Sequence, residues 1–361
     1  MKTGKAAVLV KPHQLETWDV PVPDPQDGGV LVCVVVGGVC GSDVHITNGD
    51  AGTMPFPIVL GHEGIGRVEK IGKGLDKDYC GTPIKQGDLI YWVPFKLCHR
   101  CYSCTVLEAV PCENSAFFED AHKPNWGSYA EYACLPPGMA FYRLPENGSV
   151  DAVAALGCAL PTVIGGLDRA GNIRAGESVL IQGAGPVGLS AVLLASLTGA
   201  RHIIVLDGSD LRLDVARRLG ATATISLRGS ADERLRQVQD IVGLAGPDLV
   251  IEAAGATQAF SEGLSLVGHH GRYVVLGIWG QLRSQTIQPA LFANKNISLH
   301  GYTFSKPKHY HRALRVACDN QERFGLASLI THRFGIREAT SALEAVQSGS
   351  AVKAIIDPAL A

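Results

Sequence analysis

The sequence predicts an α/β protein of two domains, one mainly β and the other built on a doubly wound parallel sheet. The chain has 361 residues, of which 46% are hydrophobic and 18% charged. This is enough apolar material for two buried cores and too little charge for a disordered chain. Short apolar runs alternate with turn residues in the first part of the chain and with helical segments in the second.

The spacing of the apolar runs predicts the two domains. Before residue 150 they are bounded by Pro, Asp and Gly, which is typical of strands and turns, and they include 6–10, 30–36 and 88–93. After residue 160 they are separated by segments of helical length, and they comprise 179–181, 203–206, 249–251 and 273–276. Strands that alternate with helices indicate βαβ units and a parallel sheet. The stretch from residue 304 is mixed in character and ends in a predicted strand over 352–356.

The composition excludes several classes of partner. Lys and Arg number 32 and Asp and Glu 34, which leaves a net charge of −2 and no overall field to hold nucleic acid or an anionic membrane. The apolar run at residues 6–10 is too short for a signal peptide, so we expect a cytoplasmic protein. The ten cysteines are then expected to be reduced, and their spacing is interpreted first as metal chemistry.

Four cysteines form the strongest local motif, C-x2-C-x2-C-x7-C, and they are Cys98, Cys101, Cys104 and Cys112. Four thiolates so close in sequence can close a tetrahedron around Zn²⁺. An iron–sulfur cluster also uses four cysteines. Because thiolates fill every position of a four-coordinate ion, the motif predicts a structural site rather than a catalytic one.

A second set of candidate ligands is dispersed along the chain, and it comprises Cys40, His62 and Cys158. Three ligands of this kind leave a fourth position open, as in a catalytic zinc site. Asp43 and Glu63 are carboxylates that could orient the imidazole. From these residues alone, ordinary buried packing remains an equal interpretation.

A glycine turn, G-x-G-x-x-G, predicts dinucleotide binding, and it consists of Gly183, Ala184, Gly185, Pro186, Val187 and Gly188. It follows a predicted strand and opens a helix, which is the context that this motif requires. A pyrophosphate is expected at the amino terminus of that helix. Asp207, which closes the next strand, can accept both ribose hydroxyls and repels a 2′-phosphate, so NAD is favoured over NADP.

The segment Gly61-His62-Glu63-x-x-Gly66-x5-Gly72 resembles the zinc signature of the zinc-dependent medium-chain dehydrogenase/reductase superfamily, which includes alcohol, sorbitol and threonine dehydrogenases. The resemblance extends over essentially the whole chain. It implies a GroES-like catalytic domain made of residues 1–159 and 304–361, with a Rossmann NAD-binding domain of residues 160–303 between them. It also implies two zinc ions per chain and a homodimer or homotetramer.

The resemblance assigns roles to individual residues. It makes Cys40, His62 and Cys158 the catalytic zinc ligands, with Glu63 beside the metal. Ser42 resembles the hydroxyl that hydrogen-bonds the substrate alcohol, and His45 the residue that passes its proton on through the nicotinamide ribose. The catalytic set is therefore Ser42, Asp43, His45 and Glu63. Further cofactor contacts are expected at Arg212 near the adenosine ribose, at Lys353 near the pyrophosphate, and at Gly277.

The expected activity is reversible, NAD-dependent oxidation of an alcohol. Several aromatic and apolar residues could line the substrate pocket, namely Trp92, Phe95, Phe117, Phe118, Trp126, Ile278 and Trp279. They favour a bulky, apolar or cyclic secondary alcohol such as a hydroxycamphor. The alternatives are a polyol or threonine dehydrogenase of the same family, a zinc-free quinone or enoyl reductase, and a non-catalytic nucleotide-binding protein.

Overall fold

The computed structural model describes residues 2–52, 54–107, 112–114, 117–277 and 287–360. The chain divides into two compact units. The first contains Met1–Cys158 and Phe304–Ala361, and the second contains Ala159–Thr303. The sequence prediction placed the first boundary one residue later.

The amino-terminal part of the first unit is mainly β. Its strands are β1 (Thr3–Lys11), β2 (Gln14–Pro21), β3 (Val30–Val39), β4 (Ile58–Val59), β5 (Gly64–Ile71), β6 (Leu89–Lys96), β7 (Tyr132–Leu135) and β8 (Met139–Arg143). Its helices are α1 (Gly41–Asn48), α2 (Tyr102–Thr105) and α3 (Val150–Leu156).

The second unit alternates helices with strands. Its helices are α4 (Ala159–Ala170), α5 (Pro186–Thr198), α6 (Asp210–Arg218), α7 (Ala231–Val242), α8 (Thr257–Leu266) and α9 (Ala290–Lys295). Its strands are β9 (Ser178–Gln182), β10 (His202–Asp207), β11 (Ala223–Ser226), β12 (Leu249–Glu252), β13 (Arg272–Val275) and β14 (Ser298–Gly301).

The carboxyl-terminal segment returns to the first unit. It contributes α10 (Pro307–Asn320), β15 (Ile330–Phe334), α11 (Ala339–Gln347) and β16 (Lys353–Ile356), with short 3-10 turns at Leu326–Leu329 and Ile336–Glu338. One sheet runs in the order β15-β16-β3-β5-β6-β8, with β7 also paired to β3, and a smaller one in the order β2-β1-β4. The run of β-branched residues in β3 suits a strand that is covered on both faces.

The second unit contains one parallel sheet. Its strand order is β11-β10-β9-β12-β13-β14, and every neighbouring pair is parallel. This is the order of a doubly wound nucleotide-binding fold, in which the direction of winding reverses beside the first strand. The predicted fold class is confirmed. Its core is formed by strand and helix residues such as Leu180, Ile204, Val250, Leu264 and Tyr273.

Within the described ranges, no single helix is long and apolar enough to cross a membrane. The consecutive helices α3 and α4 reach that length and composition only when they are taken together.

A glycine and a tryptophan face each other in the core of the first unit. A Cβ added to Gly64 would lie 1.8 Å from Cζ2 of Trp92. Trp92 is fully buried, and its indole N–H donates to the carbonyl of Trp126 at 3.2 Å. The bare glycine backbone therefore leaves the space that the indole occupies.

We expect Gly64→Ala to lower the free energy of unfolding of the first unit by about 1–3 kcal/mol or more, because the added methyl group overpacks the core and displaces the Trp92 indole or the strand. Thermal unfolding followed by circular dichroism measures the loss. Gly41→Ala is the control, since no atom lies within 4 Å of an added Cβ there. Equal melting temperatures for the two variants would contradict this account of the core.

Candidate functional site

Three distant parts of the first unit bring one set of candidate metal ligands together. Cys40 precedes α1, His62 and Glu63 lie between β4 and β5, and Cys158 follows α3. One ligand atom from each of these four residues lies within 4.8 Å of all the others. The Sγ atoms of Cys40 and Cys158 are 3.5 Å apart.

This spacing fits a tetrahedral zinc ion. Zn–S bonds of about 2.3 Å place two sulfurs about 3.8 Å apart in a tetrahedron. A hydrogen bond from the Cys158 thiol, reinforced by His62, lowers the pKa of Cys40 well below its ordinary value. Two sulfur atoms and an imidazole nitrogen form a soft donor set, which suits zinc.

Asp43 organises two of these candidate ligands. Its Oδ1 lies 2.9 Å from Nδ1 of His62, and its Oδ2 accepts the backbone N–H of Cys40 at 3.0 Å. Burial alone would lower the pKa of His62, but the charge of Asp43 overrides burial and raises that pKa well above its usual range. Because Nδ1 is occupied by Asp43, Nε2 is the ring nitrogen left to bind a metal. Oδ2 also accepts a hydrogen bond from the Tyr129 hydroxyl at 2.9 Å.

Glu63 carries a second carboxylate into the cluster. Its Oε1 accepts the backbone N–H of Cys158 at 3.0 Å, and its Oε2 is paired with Nζ of Lys353. Burial favours a raised pKa for Glu63, but the ammonium of Lys353 outweighs it and lowers the pKa to about 2. Glu63 is therefore ionised and held beside the sulfur atoms.

Lys353 lies in a different place from the one that the sequence predicted. It is only 2% exposed, and its Nζ donates to the carbonyl of Val39 at 3.1 Å as well as to Glu63. The expectation of a pyrophosphate contact is corrected here, because an ammonium that is buried and paired with a carboxylate is not presented to a phosphate. Lys353 instead balances the charge of the ligand cluster.

Ser42 and His45 both lie on α1. The hydroxyl oxygen of Ser42 is 3.7 Å from Sγ of Cys40, so it borders the cluster. Nδ1 of His45 is 3.3 Å from a carboxylate oxygen of Asp50. The side chain of His45 is 25% exposed and that of Asp50 is 48% exposed. The structure thus places Ser42 at the metal ligands and His45 toward solvent.

A group of phenylalanine rings lies against the cluster. The ring centroid of Phe117 is 5.7 Å from that of His62. Around Phe117 lie Phe118 at 4.9 Å, Phe304 at 6.0 Å and Phe95 at 6.2 Å. These four rings are called the phenylalanine group below.

Other predicted pocket residues lie elsewhere. Trp92 and Trp126 are buried in the sheet core of the first unit. They are therefore core residues, and their assignment to a substrate pocket is corrected. Ile278 and Trp279 lie outside the described residues.

The four clustered cysteines also converge. All four sulfur atoms lie within 4.8 Å of one another, with Cys98 and Cys104 at 4.0 Å and Cys101 and Cys112 at 3.8 Å. This spacing fits one tetrahedral ion. An iron–sulfur cluster places several iron and sulfide atoms between its cysteines and requires a wider separation of the four thiolates. The arrangement therefore favours a single zinc ion.

The glycine turn of the second unit has the geometry that its motif requires. Gly183 has a φ of +92°, and a Cβ added there would meet the backbone of Ala254 at 2.8 Å. An added Cβ at Gly185 meets nothing within 4 Å, which leaves an open approach to the start of α5. At Gly188 it would lie 1.8 Å from the carbonyl oxygen of Gly183. The turn therefore combines a tight bend, an open backbone and close packing of helix on strand.

Asp207 ends β10 beside this turn. Its two carboxylate oxygens accept the backbone N–H groups of Ala184 and Ser209, each at 2.7 Å. Each oxygen keeps a further lone pair for a hydroxyl group. The backbone N–H of Arg212, in the first turn of α6, donates to the Ser209 hydroxyl at 3.4 Å. The residues expected to bind the ribose, Asp207 and Arg212, thus lie on either side of the short loop that joins β10 to α6.

Gly277 follows β13 and approaches the neighbouring loop closely. An added Cβ would lie 2.5 Å from the backbone nitrogen of Gly255. The backbone N–H of Gly277 donates to a carboxylate oxygen of Glu252 at 3.0 Å. Glu252 is fully buried and also accepts the N–H groups of Ala254 and Gly255. The sequence analysis missed Glu252, because nothing in its apolar strand marks an acidic side chain as a loop anchor.

Tyr129 and Tyr91 were also missed. Tyr91 is buried, and its hydroxyl donates to the carbonyl of Gly157 at 2.8 Å, directly before Cys158. Both tyrosines lie far in sequence from the groups that they bind, and both occur in strand-like segments where an aromatic residue is ordinary. No local signal distinguishes them from core residues.

Comparison with known proteins identifies the family. A model of the alcohol dehydrogenase GroES-like domain matches residues 26–146, and a model of the zinc-binding dehydrogenase domain matches residues 186–318. The chain is 58% identical to 5-exo-hydroxycamphor dehydrogenase of Pseudomonas putida over 361 residues, which cover 100% of both chains. It is 32% identical to L-threonine 3-dehydrogenase of Anaeromyxobacter sp. (strain K) over 94% of both chains.

A solved structure agrees with these relatives. Alcohol dehydrogenase from Thermotoga maritima is 33% identical and has a TM-score of 0.90, over 99% of this chain and 100% of that one. The two family models together cover most of the chain, and the relatives extend over nearly all of it. The chain therefore belongs to the zinc-dependent medium-chain dehydrogenase/reductase superfamily and is an alcohol dehydrogenase.

Proposed function

We propose that this alcohol dehydrogenase depends on zinc and NAD and oxidises a bulky, apolar, cyclic secondary alcohol to a ketone, reversibly. The observation that carries the proposal is the convergence of Cys40, His62 and Cys158 with the Phe117 ring against His62. The 58% identity to 5-exo-hydroxycamphor dehydrogenase supports a bicyclic alcohol of that type.

Two metal sites are proposed for each chain. Cys40, His62 and Cys158, with Glu63 beside them, hold a catalytic zinc, and the four clustered cysteines hold a structural one. When bound, the catalytic zinc supplies Lewis acidity toward the alcohol oxygen, and NAD⁺ supplies the hydride acceptor. Proton transfer and the orientation of the metal ligands are carried out by the protein's own side chains.

The proton leaves the alcohol along α1. Ser42, whose hydroxyl borders Cys40, accepts a hydrogen bond from the alcohol, and as it takes that proton it releases its own hydroxyl proton toward His45. His45 is one helical turn further on and partly exposed, so it passes the proton to solvent. Asp43 meanwhile keeps the imidazole of His62 in one orientation and one tautomer.

The phenylalanine group distinguishes the apolar alcohol from its alternatives. Threonine carries an ammonium and a carboxylate, and a polyol carries several hydroxyls, all of which need polar partners when they leave water. The Phe117 ring and its three aromatic neighbours provide none. A zinc-free reductase does not require metal ligands, so the convergence of Cys40, His62 and Cys158 argues against that alternative.

NAD is preferred in this proposal because of Asp207. Its buried carboxylate, held by Ala184 and Ser209, can receive the ribose hydroxyls. The same negative charge repels the 2′-phosphate of NADP.

The first prediction concerns the two metal sites. His62→Ala is expected to leave one zinc ion per chain and to lower kcat/KM by about 10³-fold or more, since Lewis-acid stabilisation is worth several kcal/mol. Cys101→Ser removes the other zinc and lowers the melting temperature. Metal analysis of purified protein with an alcohol assay tests both, and Cys134→Ser, which is in neither cluster, is the control. Full turnover by His62→Ala would refute the zinc mechanism.

The second prediction concerns the substrate. With NAD⁺, 5-exo-hydroxycamphor or another bicyclic secondary alcohol is expected to turn over faster than threonine or sorbitol. Phe117→Ala should raise KM for the bicyclic alcohol about 10- to 100-fold, because losing a buried aromatic contact costs about 1.5–3 kcal/mol. Phe324→Ala is the control, since its ring lies against Arg323 and outside the phenylalanine group. Faster turnover of threonine or sorbitol would replace the proposed substrate class.

The third prediction concerns the cofactor. Asp207→Asn retains an oxygen that can accept a hydrogen bond but loses the charge, so the preference for NAD⁺ over NADP⁺ should fall about tenfold or more. The ratio of kcat/KM for the two cofactors measures it. Asp210→Asn, on the exposed first turn of α6, is the matched control. An unchanged ratio in Asp207→Asn would assign the cofactor preference to other residues.

A further inference from the structure

The carboxylate of Asp43 binds two metal-ligand residues at once. It receives the ring of His62 on Oδ1 and the backbone N–H of Cys40 on Oδ2, and it is fully buried. A buried carboxylate needs hydrogen-bond donors in place of the water that it has lost. Its orientation therefore determines the positions of two ligands that are far apart in sequence.

Tyr129 supplies the remaining donor to this carboxylate. Its hydroxyl lies 2.9 Å from Oδ2 of Asp43, and the residue is fully buried. Burial, reinforced by the charge of Asp43, raises the pKa of Tyr129 well above its usual value. The phenol therefore stays protonated and donates its hydrogen to the carboxylate.

The backbone around Tyr129 holds its ring in one place. Its N–H donates to the carbonyl of Leu60 at 3.0 Å, and its carbonyl accepts the N–H of Ala7 at 2.8 Å. Its ring packs on Gly61, where an added Cβ would lie 2.3 Å from Cδ1 of the tyrosine. Gly61 has a φ of +90° and directly precedes His62. The residue before the metal ligand is thus shaped to admit this ring.

We propose that Tyr129 is a positioning residue for the metal cluster, whose hydroxyl holds Asp43 in the orientation that binds Cys40 and His62 together. This inference rests on the proposed function, because it requires zinc at Cys40, His62 and Cys158. Without the hydroxyl, Oδ2 of Asp43 loses one of its two donors, and the carboxylate is free to turn away from the imidazole. Removing a direct outer partner of a metal ligand lowers metal affinity about 10- to 100-fold, and the loss of the Tyr129 hydroxyl acts through such a partner, Asp43.

A purely structural role makes a different prediction. Tyr142 is also buried in the first unit, and its hydroxyl donates to the carbonyl of Pro307 at 2.8 Å. Removing either hydroxyl costs one buried hydrogen bond, so Tyr129→Phe and Tyr142→Phe should both destabilise the fold, and Tyr129→Phe somewhat more because its acceptor is a carboxylate. Only Tyr129→Phe should weaken zinc binding at the cluster.

The experiment measures zinc release from the loaded full-length protein. Wild type, Tyr129→Phe and Tyr142→Phe are titrated with a colorimetric zinc chelator, and thermal unfolding of the metal-free forms reports the fold. We expect Tyr129→Phe to lose affinity for one of its two zinc ions about 10- to 100-fold, and Tyr142→Phe to match the wild type. Wild-type affinity in Tyr129→Phe, or an equal loss at both zinc ions, would overturn the inference.

A double-mutant cycle with Asp43→Asn tests whether Tyr129 affects zinc binding through Asp43. If Tyr129 acts through Asp43, the Tyr129→Phe change removes little further zinc affinity in the Asp43→Asn background. Independent, additive losses would overturn the inference. The proposed function fails separately, if the wild type binds only one zinc ion or if His62→Ala retains both.

Discussion

A buried ion pair between Glu63 and Lys353 connects the two ends of the chain at the candidate metal site. Glu63 precedes β5, whereas Lys353 begins the last strand, β16. Neither charge reaches water, so each depends on the other, and removing one partner of such a pair costs about 3–5 kcal/mol. Because β16 pairs with β3, the strand that delivers the ammonium also completes the sheet. The carboxyl-terminal segment is therefore part of the site as well as part of the fold.

Charge balance explains why the site needs so many buried polar groups. A buried imidazole and two buried carboxylates lie beside two partly buried thiols, and a cation of charge +2 would change the balance on binding. Lys353 compensates Glu63, while Tyr129 and the backbone of Cys40 satisfy Asp43 by hydrogen bonds. These hydrogen bonds and this ion pair can therefore fix the positions of the ligand side chains independently of the metal. A site built in this way presents its ligands before the ion arrives.

The polar and the apolar parts of the site are adjacent but separate. Ser42 and His45 share one short helix, and the phenylalanine group contacts the cluster through Phe117 and His62. In the proposed function, proton movement and recognition of an apolar skeleton thus use different elements of the first unit. The proposed cofactor residues of the second unit, by contrast, lie at or just after the carboxyl ends of strands, where a parallel sheet presents its loops.

The amino-acid sequence alone was sufficient for the fold class, for the four clustered cysteines and for the glycine turn. Each of these depends on residues that are close in sequence, where periodicity and spacing carry the physical constraint directly. The structure alone showed that Lys353 pairs with Glu63, that Trp92 and Trp126 belong to the core, and that Tyr129 binds Asp43. These contacts join residues that are tens to hundreds of positions apart in the sequence. The local sequence pattern around a buried, paired lysine or tyrosine does not differ from the pattern around an exposed or purely structural one. Only folding, which brings their partners within hydrogen-bond distance, decides what such side chains do.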